Sequence, residues 1–137
     1  MQQHSTIFEV QIIFMKISPR IHGALDYITV VFLLISPQLF KMHDPALTFT
    51  YTLAIIHLVL TLFTDFEAGI VKLIPFKIHG AIELIVSIAL VGIAIWFKIS
   101  NDEVAFYFYL IFSIVLFVVW LATEYRQVFS KTRSRAK

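Results

Sequence analysis

The 137-residue chain contains no cysteine. Disulfides, thiolate metal sites and thiol redox chemistry are therefore excluded. Charge is scarce as well. Asp, Glu, Lys and Arg make up 15% of the residues, where a soluble domain averages about 25%. Nucleophile motifs are missing too: there is no Gly-x-Ser-x-Gly elbow and no His-Glu-x-x-His zinc-hydrolase signature. What fills the chain instead is apolar. Hydrophobic residues reach 59%, Phe alone supplies 14 positions, and mean hydropathy is +0.86. Such a balance belongs to membrane proteins, with the lipid bilayer as the first partner.

Four apolar runs, at about 21–40, 46–66, 78–98 and 104–126, each approach the roughly 20 residues needed to cross a bilayer. The breaks between them are "KMHDPA", "KLIPFK" and "KISNDE". Pro19, Pro37, Pro45 and Pro75 fall at or near the predicted helix ends, where a missing amide donor costs least. Connections this short make successive helices antiparallel neighbours. The expected fold is an all-α membrane protein, a four-transmembrane-helix bundle over residues 15–127. Residues 1–14, "MQQHSTIFEVQIIF", are too short to span and lack the form of a signal peptide. Because Met15 opens "MKISPRIHG", the segment reads as a non-core extension and is expected to be dispensable. Residues 128–137 form a basic tail that suits a membrane-proximal anchor rather than nucleic-acid binding.

Two stretches repeat almost letter for letter. "RIHGALDYITV" begins at Arg20 and "KIHGAIELIVS" at Lys77. His22 and His79, Gly23 and Gly80, and Asp26 and Glu83 are each 57 residues apart, and Glu67 and Glu124 keep the same interval. The chain thus reads as two tandem helical hairpins forming a parallel internal repeat of 57 residues. The paired glycines are expected to let helices approach closely. A His and an acid four positions apart lie on one face of a helix, and both pairs open their spans. The second span ends on the same side with "HLVLTLFTDFEAG", which brings Thr61, Thr64 and Asp65 to similar depth and His57 two turns further in. The fourth span delivers Thr123, Glu124 and Tyr125 there.

His22, Asp26, His57, Asp65, His79 and Glu83 are accordingly the candidate ligand or metal residues, with His22, Asp26, His79 and Glu83 as the metal set. Imidazole with carboxylate suits a transition metal. The His-x-x-x-acid spacing departs from the Glu-x-x-His of di-iron bundles, and haem ligation is disfavoured for histidines so near a helix end. Other readings stay open. The pairs could be helix glue in a non-catalytic structural or helper subunit. They could instead serve a proton- or ion-coupled small transporter or channel, which at this size would work as a homo-oligomer. The metal- or small-ligand-binding site is the preferred specific reading, and no enzymatic activity is assigned.

The runs "RIHGALDYITVVFLLISPQLF" and "TDFEAGIVKLIPFKIHGAIE" resemble bacterial membrane proteins of the SPW-repeat type. Their pattern combines HG-x-x-D-Y, a Ser-Pro-Trp closing the first span, T-D-Y/F-E-x-G, and I-P-x-x-x-H. Ser36 and Pro37 match, Gln38 stands where the family has Trp, and Glu83 replaces the acid Asp. The resemblance covers about residues 15–98. It implies a bacterial inner-membrane location and no activity.

Sidedness follows from the distribution of Lys and Arg. Nine of them (Lys16, Arg20, Lys72, Lys77, Arg126, Lys131, Arg133, Arg135 and Lys137) flank one side of the spans. Only two, Lys41 and Lys98, flank the other. The positive-inside rule puts both termini in the cytoplasm. Reporter fusions at Lys137 and between Lys72 and Lys77 should therefore read cytoplasmic, and a fusion between Lys41 and Pro45 should read outside. A carboxyl terminus reading outside would reverse the assignment.

Overall fold

The computed structural model describes residues 16–125. The segment 1–14 and the basic tail 128–137 lie outside the described residues. Four helices follow in order: α1 (Pro19–Leu39), α2 (Ala46–Phe63), α3 (Phe76–Ile99) and α4 (Glu103–Ala122). All four are long and apolar enough to cross a membrane, and the chain is a multi-pass all-α bundle. The prolines punctuate as expected. Pro19 is the first residue of α1, Pro45 and Pro75 immediately precede α2 and α3, and Pro37 sits in the last turn of α1. Side-chain caps satisfy free amides at two starts: Ser18 Oγ accepts from Ile21 N at 3.4 Å, and Asp102 Oδ1 from Ala105 N at 3.0 Å.

The second and fourth spans end earlier than the hydropathy pattern predicts, at Phe63 rather than 66 and at Ala122 rather than 126. Each helix gives way to extended backbone that finds a partner in the other hairpin. Strand β1 (Thr64–Asp65) pairs in parallel with β2 (Ile74–Pro75), so that Thr64 stands opposite Ile74. Likewise Thr123 bridges in parallel to Ile17. The chain leaving α2 is thereby tied to the chain entering α3, and the chain leaving α4 to the chain entering α1. Continuing either helix would forfeit these pairings.

Burial refines the internal spacing. Six of the seven buried positions of α1 (His22, Gly23, Asp26, Val30, Leu33 and Pro37) have buried counterparts in α3 at an interval of 57. In α2 and α4 the matching interval is 59. There Ala46, Thr50, Ala54 and His57 coincide with buried Ala105, Tyr109, Ser113 and Leu116, whereas an interval of 57 brings none of the buried α2 positions into register. The pairing of Glu67 with Glu124 therefore does not hold. In the spatial register Glu124 matches Asp65, and Tyr125 matches Phe66. The two-residue difference lies between Ala94 and Ala105, which are 11 residues apart where their counterparts Pro37 and Ala46 are 9 apart.

Between the helices an apolar core runs through Leu33, Ala54, Leu90, Ala94, Phe97 and Phe112. A polar knot closes each end. At the end carrying the α1–α2 and α3–α4 turns, the Tyr109 hydroxyl donates to the Ala46 carbonyl at 3.1 Å and meets Thr50 Oγ1 at 2.5 Å, joining α4 to α2. The other knot holds the histidines.

The repeated glycines serve a purpose other than helix–helix approach. A Cβ on Gly23 would lie 2.4 Å from the Phe66 ring and 2.5 Å from Ala68, and one on Gly80 would lie 2.5 Å from the Tyr125 ring. Each glycine admits an aromatic side chain from the segment just past the following helix. Gly92, by contrast, has open space around it. Gly23→Ala and Gly80→Ala should each destabilise the protein by about 1–3 kcal/mol, the usual cost of overpacking. Gly92→Ala should be neutral or stabilising by up to about 1 kcal/mol. Thermal unfolding in detergent checks this, and equal effects at all three positions would contradict it.

Candidate metal centre

His22 is the fourth residue of α1 and Asp26 the eighth; His79 and Glu83 hold the same places in α3. One helical turn separates each His from its acid, so both point from the same face toward the bundle axis. All four are buried, with both histidines at 0% exposure, Asp26 at 3% and Glu83 at 2%.

Their Nδ1 atoms are held from outside the pair. Thr123, just past α4, meets His22 Nδ1 at 2.9 Å, and Thr64, just past α2, meets His79 Nδ1 at 2.8 Å. Each hydroxyl has a single proton, and each already donates it four residues back. Thr64 Oγ1 donates to the Leu60 carbonyl at 2.6 Å, and Thr123 Oγ1 to the Val119 carbonyl at 2.7 Å. Toward the imidazoles the threonines can therefore only accept. Both Nδ1 atoms carry a proton, and in a neutral ring each Nε2 is then a bare lone pair.

Those two lone pairs face each other at 3.3 Å. Around them stand carboxylate oxygens. His22 Nε2 is 3.4 Å from Asp26 Oδ1 and 3.3 Å from Glu83 Oε2. His79 Nε2 is 3.5 Å from Asp26 Oδ2 and 3.5 Å from Glu83 Oε1. One ligating atom from each of the four residues can be chosen so that all lie within 4.8 Å of one another. Asp26 Oδ2 and Glu83 Oε1 have no hydrogen-bond partner. Four electron-rich groups thus converge on one buried point.

Two kinds of positive charge could hold them. One proton on a single Nε2 would bridge the two rings at 3.3 Å and protonating both would place two cations there, in either case with N–H···O contacts longer than the about 2.7–2.9 Å of charge-assisted bonds. A metal ion answers the spacing better. Ligands around a tetrahedral ion at bonds of about 2.0–2.1 Å stand about 3.3–3.4 Å apart; each Nε2 here meets the other Nε2 and one oxygen of each carboxylate at 3.3–3.5 Å, and one atom from each of the four residues lies within 4.8 Å of the rest. Axial ligands on opposite faces of a haem would need about 4 Å, twice a metal–nitrogen bond; 3.3 Å suits neighbouring positions on a bare ion.

The other candidates divide. His57, from α2, sets its Nε2 3.5 Å from Asp26 Oδ1 and has no hydrogen-bond partner there, so it borders the centre. Asp65 is half-buried in β1, and no hydrogen bond or ion pair among the described residues joins it to the four. Its segment contributes Thr64 instead. Sequence reasoning placed Thr64 and Thr123 at the right depth but assigned them no role, because the uniform interval of 57 hides their correspondence at 59. Tyr125, placed at the same depth, is likewise given no role by the sequence. Its hydroxyl donates to Glu83 Oε2 at 2.8 Å. Burial pushes this phenol up and the neighbouring Glu83 carboxylate pushes it further, so Tyr125 stays protonated and donating. Aromatic edges seal the group: Phe76 lies 5.3 Å from the His22 ring and Phe66 5.9 Å from the His79 ring.

Comparison with family models, curated proteins and solved structures returns no match. The geometry therefore carries the functional reading alone.

A shared centre and two self-contained pairs differ in how their parts couple. In a double-mutant cycle on thermal stability, His22→Ala and His79→Ala should couple by about 1 kcal/mol or more, as residues of one network do. Coupling confined to His22 with Asp26 and to His79 with Glu83 would reduce the centre to helix glue.

Proposed function

We propose that this is a bacterial inner-membrane protein that binds one divalent transition-metal ion between His22, Asp26, His79 and Glu83. The observation that carries the reading is the pair of Nε2 lone pairs fixed by Thr64 and Thr123 and turned toward two buried carboxylates. Hydrogen bonds at Nδ1 are the usual means of orienting a metal-ligating histidine. Two imidazoles and two carboxylates form an N2O2 set that suits zinc, iron or manganese, with no soft sulfur to favour copper(I). Two carboxylates also balance a divalent charge, so the loaded centre is neutral in a region where uncompensated charge costs a few kcal/mol or more.

The nine-to-two distribution of basic residues supports a location of the centre in the cytoplasmic half, with both chain ends in the cytoplasm. The resemblance of residues 15–98 to SPW-repeat proteins is consistent with that membrane. Tandem hairpins that each supply one His and one acid make the ion the joint between the halves. An imidazole from each half, each held by a threonine of the other, is what such a joint requires.

Protein purified without chelator should carry close to one equivalent of zinc, iron or manganese by elemental analysis. His22→Ala and His79→Ala should each abolish loading. Thr64→Val and Thr123→Val, which leave all four ligands in place, should weaken affinity by about 10–100-fold. Absence of bound metal after reconstitution with each of the three ions would overturn the proposal.

A further inference from the structure

A cavity of about 600 Å3 lies between α1 and α4. That volume is within the range of ligand pockets, about 300–1,000 Å3. Its walls come from α1 and α4, apart from Phe40, just past α1, and Glu83, which reaches in from α3. Of fifteen lining residues, only Asp26, Thr29, Glu83 and Tyr107 carry polar side-chain atoms. The cavity is a groove rather than an enclosed hole, since Ile28, Ile111 and Val115 on its rim are more than half exposed on the lipid-facing surface.

Its length can be read from the helices. The groove extends along α1 from Asp26 to Phe40 and along α4 from Val104 to Val119. At 1.5 Å per residue this is about 20 Å, which matches an extended hydrocarbon chain rather than a compact ring. Phe32, Phe108 and Phe112 form a continuous aromatic wall, with Phe32 stacked on Phe108 at 5.9 Å and Phe108 on Phe112 at 6.0 Å.

The polar end is specific. Asp26 and Glu83 are both at least nine-tenths buried, both line the groove, and each has an oxygen without a hydrogen-bond partner. Buried acceptors of this kind call for a donor. A phosphate head would carry an uncompensated charge into an apolar groove, because the loaded centre is neutral, a step that rests on the proposed metal centre. An ammonium head would do the same. A small uncharged hydroxyl meets neither objection, and it can donate to a carboxylate oxygen while its chain lies along the phenylalanines.

We infer that the groove between α1 and α4 binds a single-chain membrane lipid with a small, uncharged, hydroxyl-bearing head, taken up sideways from the bilayer, with its head at Asp26 and Glu83. The site shares the two carboxylates with the metal centre, so the hydroxyl would be received by carboxylate oxygen lone pairs not spent on the ion. A lipid so placed would bring its hydroxyl to the edge of the metal centre.

The test uses the full chain in nanodiscs and a hexadecanol bearing a diazirine in its chain. Irradiation should label groove residues such as Phe32, Phe112 and Leu116. Excess hexadecanol should reduce the labelling at least tenfold, whereas hexadecane and hexadecyl phosphate should leave it nearly unchanged. Thr29→Trp and Val115→Trp, which fill the groove, should abolish labelling while metal content and elution profile stay as in the parent. Metal content is measured on the same samples, so failure of the metal centre and failure of the groove are read separately. Competition by hexadecane equal to that by hexadecanol would remove the role of the carboxylates. Superior competition by hexadecylamine would replace the uncharged head with a cation. Labelling spread evenly onto outward residues of α3 such as Ile85 and Ile88, without competition, would overturn the inference.

Discussion

An imidazole Nδ1–H donated to a threonine hydroxyl governs much of this architecture. The threonine sits just beyond a helix, and its own proton is spent on the carbonyl four residues back. It also comes from the opposite hairpin, since Thr123 serves His22 and Thr64 serves His79. Those two placements draw the ends of α2 and α4 across the bundle and stop them as helices. They also bring Thr64 opposite Ile74 and Thr123 opposite Ile17. The aromatic residues that follow, Phe66 and Tyr125, are then thrown back against Gly23 and Gly80. One hydrogen-bond type, used twice, accounts for helix ends, strand pairing and glycine positions together.

The energetic setting explains why this bond is so well supported. A buried polar group without a partner costs about 1–3 kcal/mol, more if it is charged. Here two carboxylates and two imidazoles are gathered where the surrounding residues are Phe76, Phe66 and the apolar faces of four helices. Ion pairs at the surface, such as Lys16 with Glu124 at 3.6 Å and Arg20 with Glu67 at 3.9 Å, are solvated and add little. The buried group is different. Its loose internal contacts of 3.3–3.5 Å satisfy its members poorly by themselves. A cation among them would resolve all of these contacts at once.

Much of the fold was legible because hydropathy and proline placement act locally. Four runs of apolar residues between polar turns leave few alternatives, and the observed helices fall within a few residues of the expected spans. His22, Asp26, His79 and Glu83 were legible because a spacing of four on a helix is itself a geometric statement. What escaped was non-local. Nothing in "TDFEAG" says that Thr64 leaves the helix to hold a histidine on another, since the chain is apolar enough there to continue. The interval of 57 misled for the same reason. It is true of α1 and α3, but two extra residues between Ala94 and Ala105 shift every later contact, and only spatial register reveals it. Asp65 looked the better ligand because carboxylates bind metals, yet its neighbour's hydroxyl is the group that reaches the site.

The pairing of Ile17 with Thr123 has a topological consequence. It brings the described chain ends together at the same kind of junction that joins α2 to α3 through Ile74 and Thr64. The bundle is therefore cyclic in its contacts even though the polypeptide is linear, and neither hairpin is first in any physical sense. A chain opened in the Glu67–Leu73 turn and joined between Tyr125 and Lys16 would keep the four helices and both extended pairings. Two separate copies of a hairpin could in principle close the same ring, each offering half of a centre that neither could form alone.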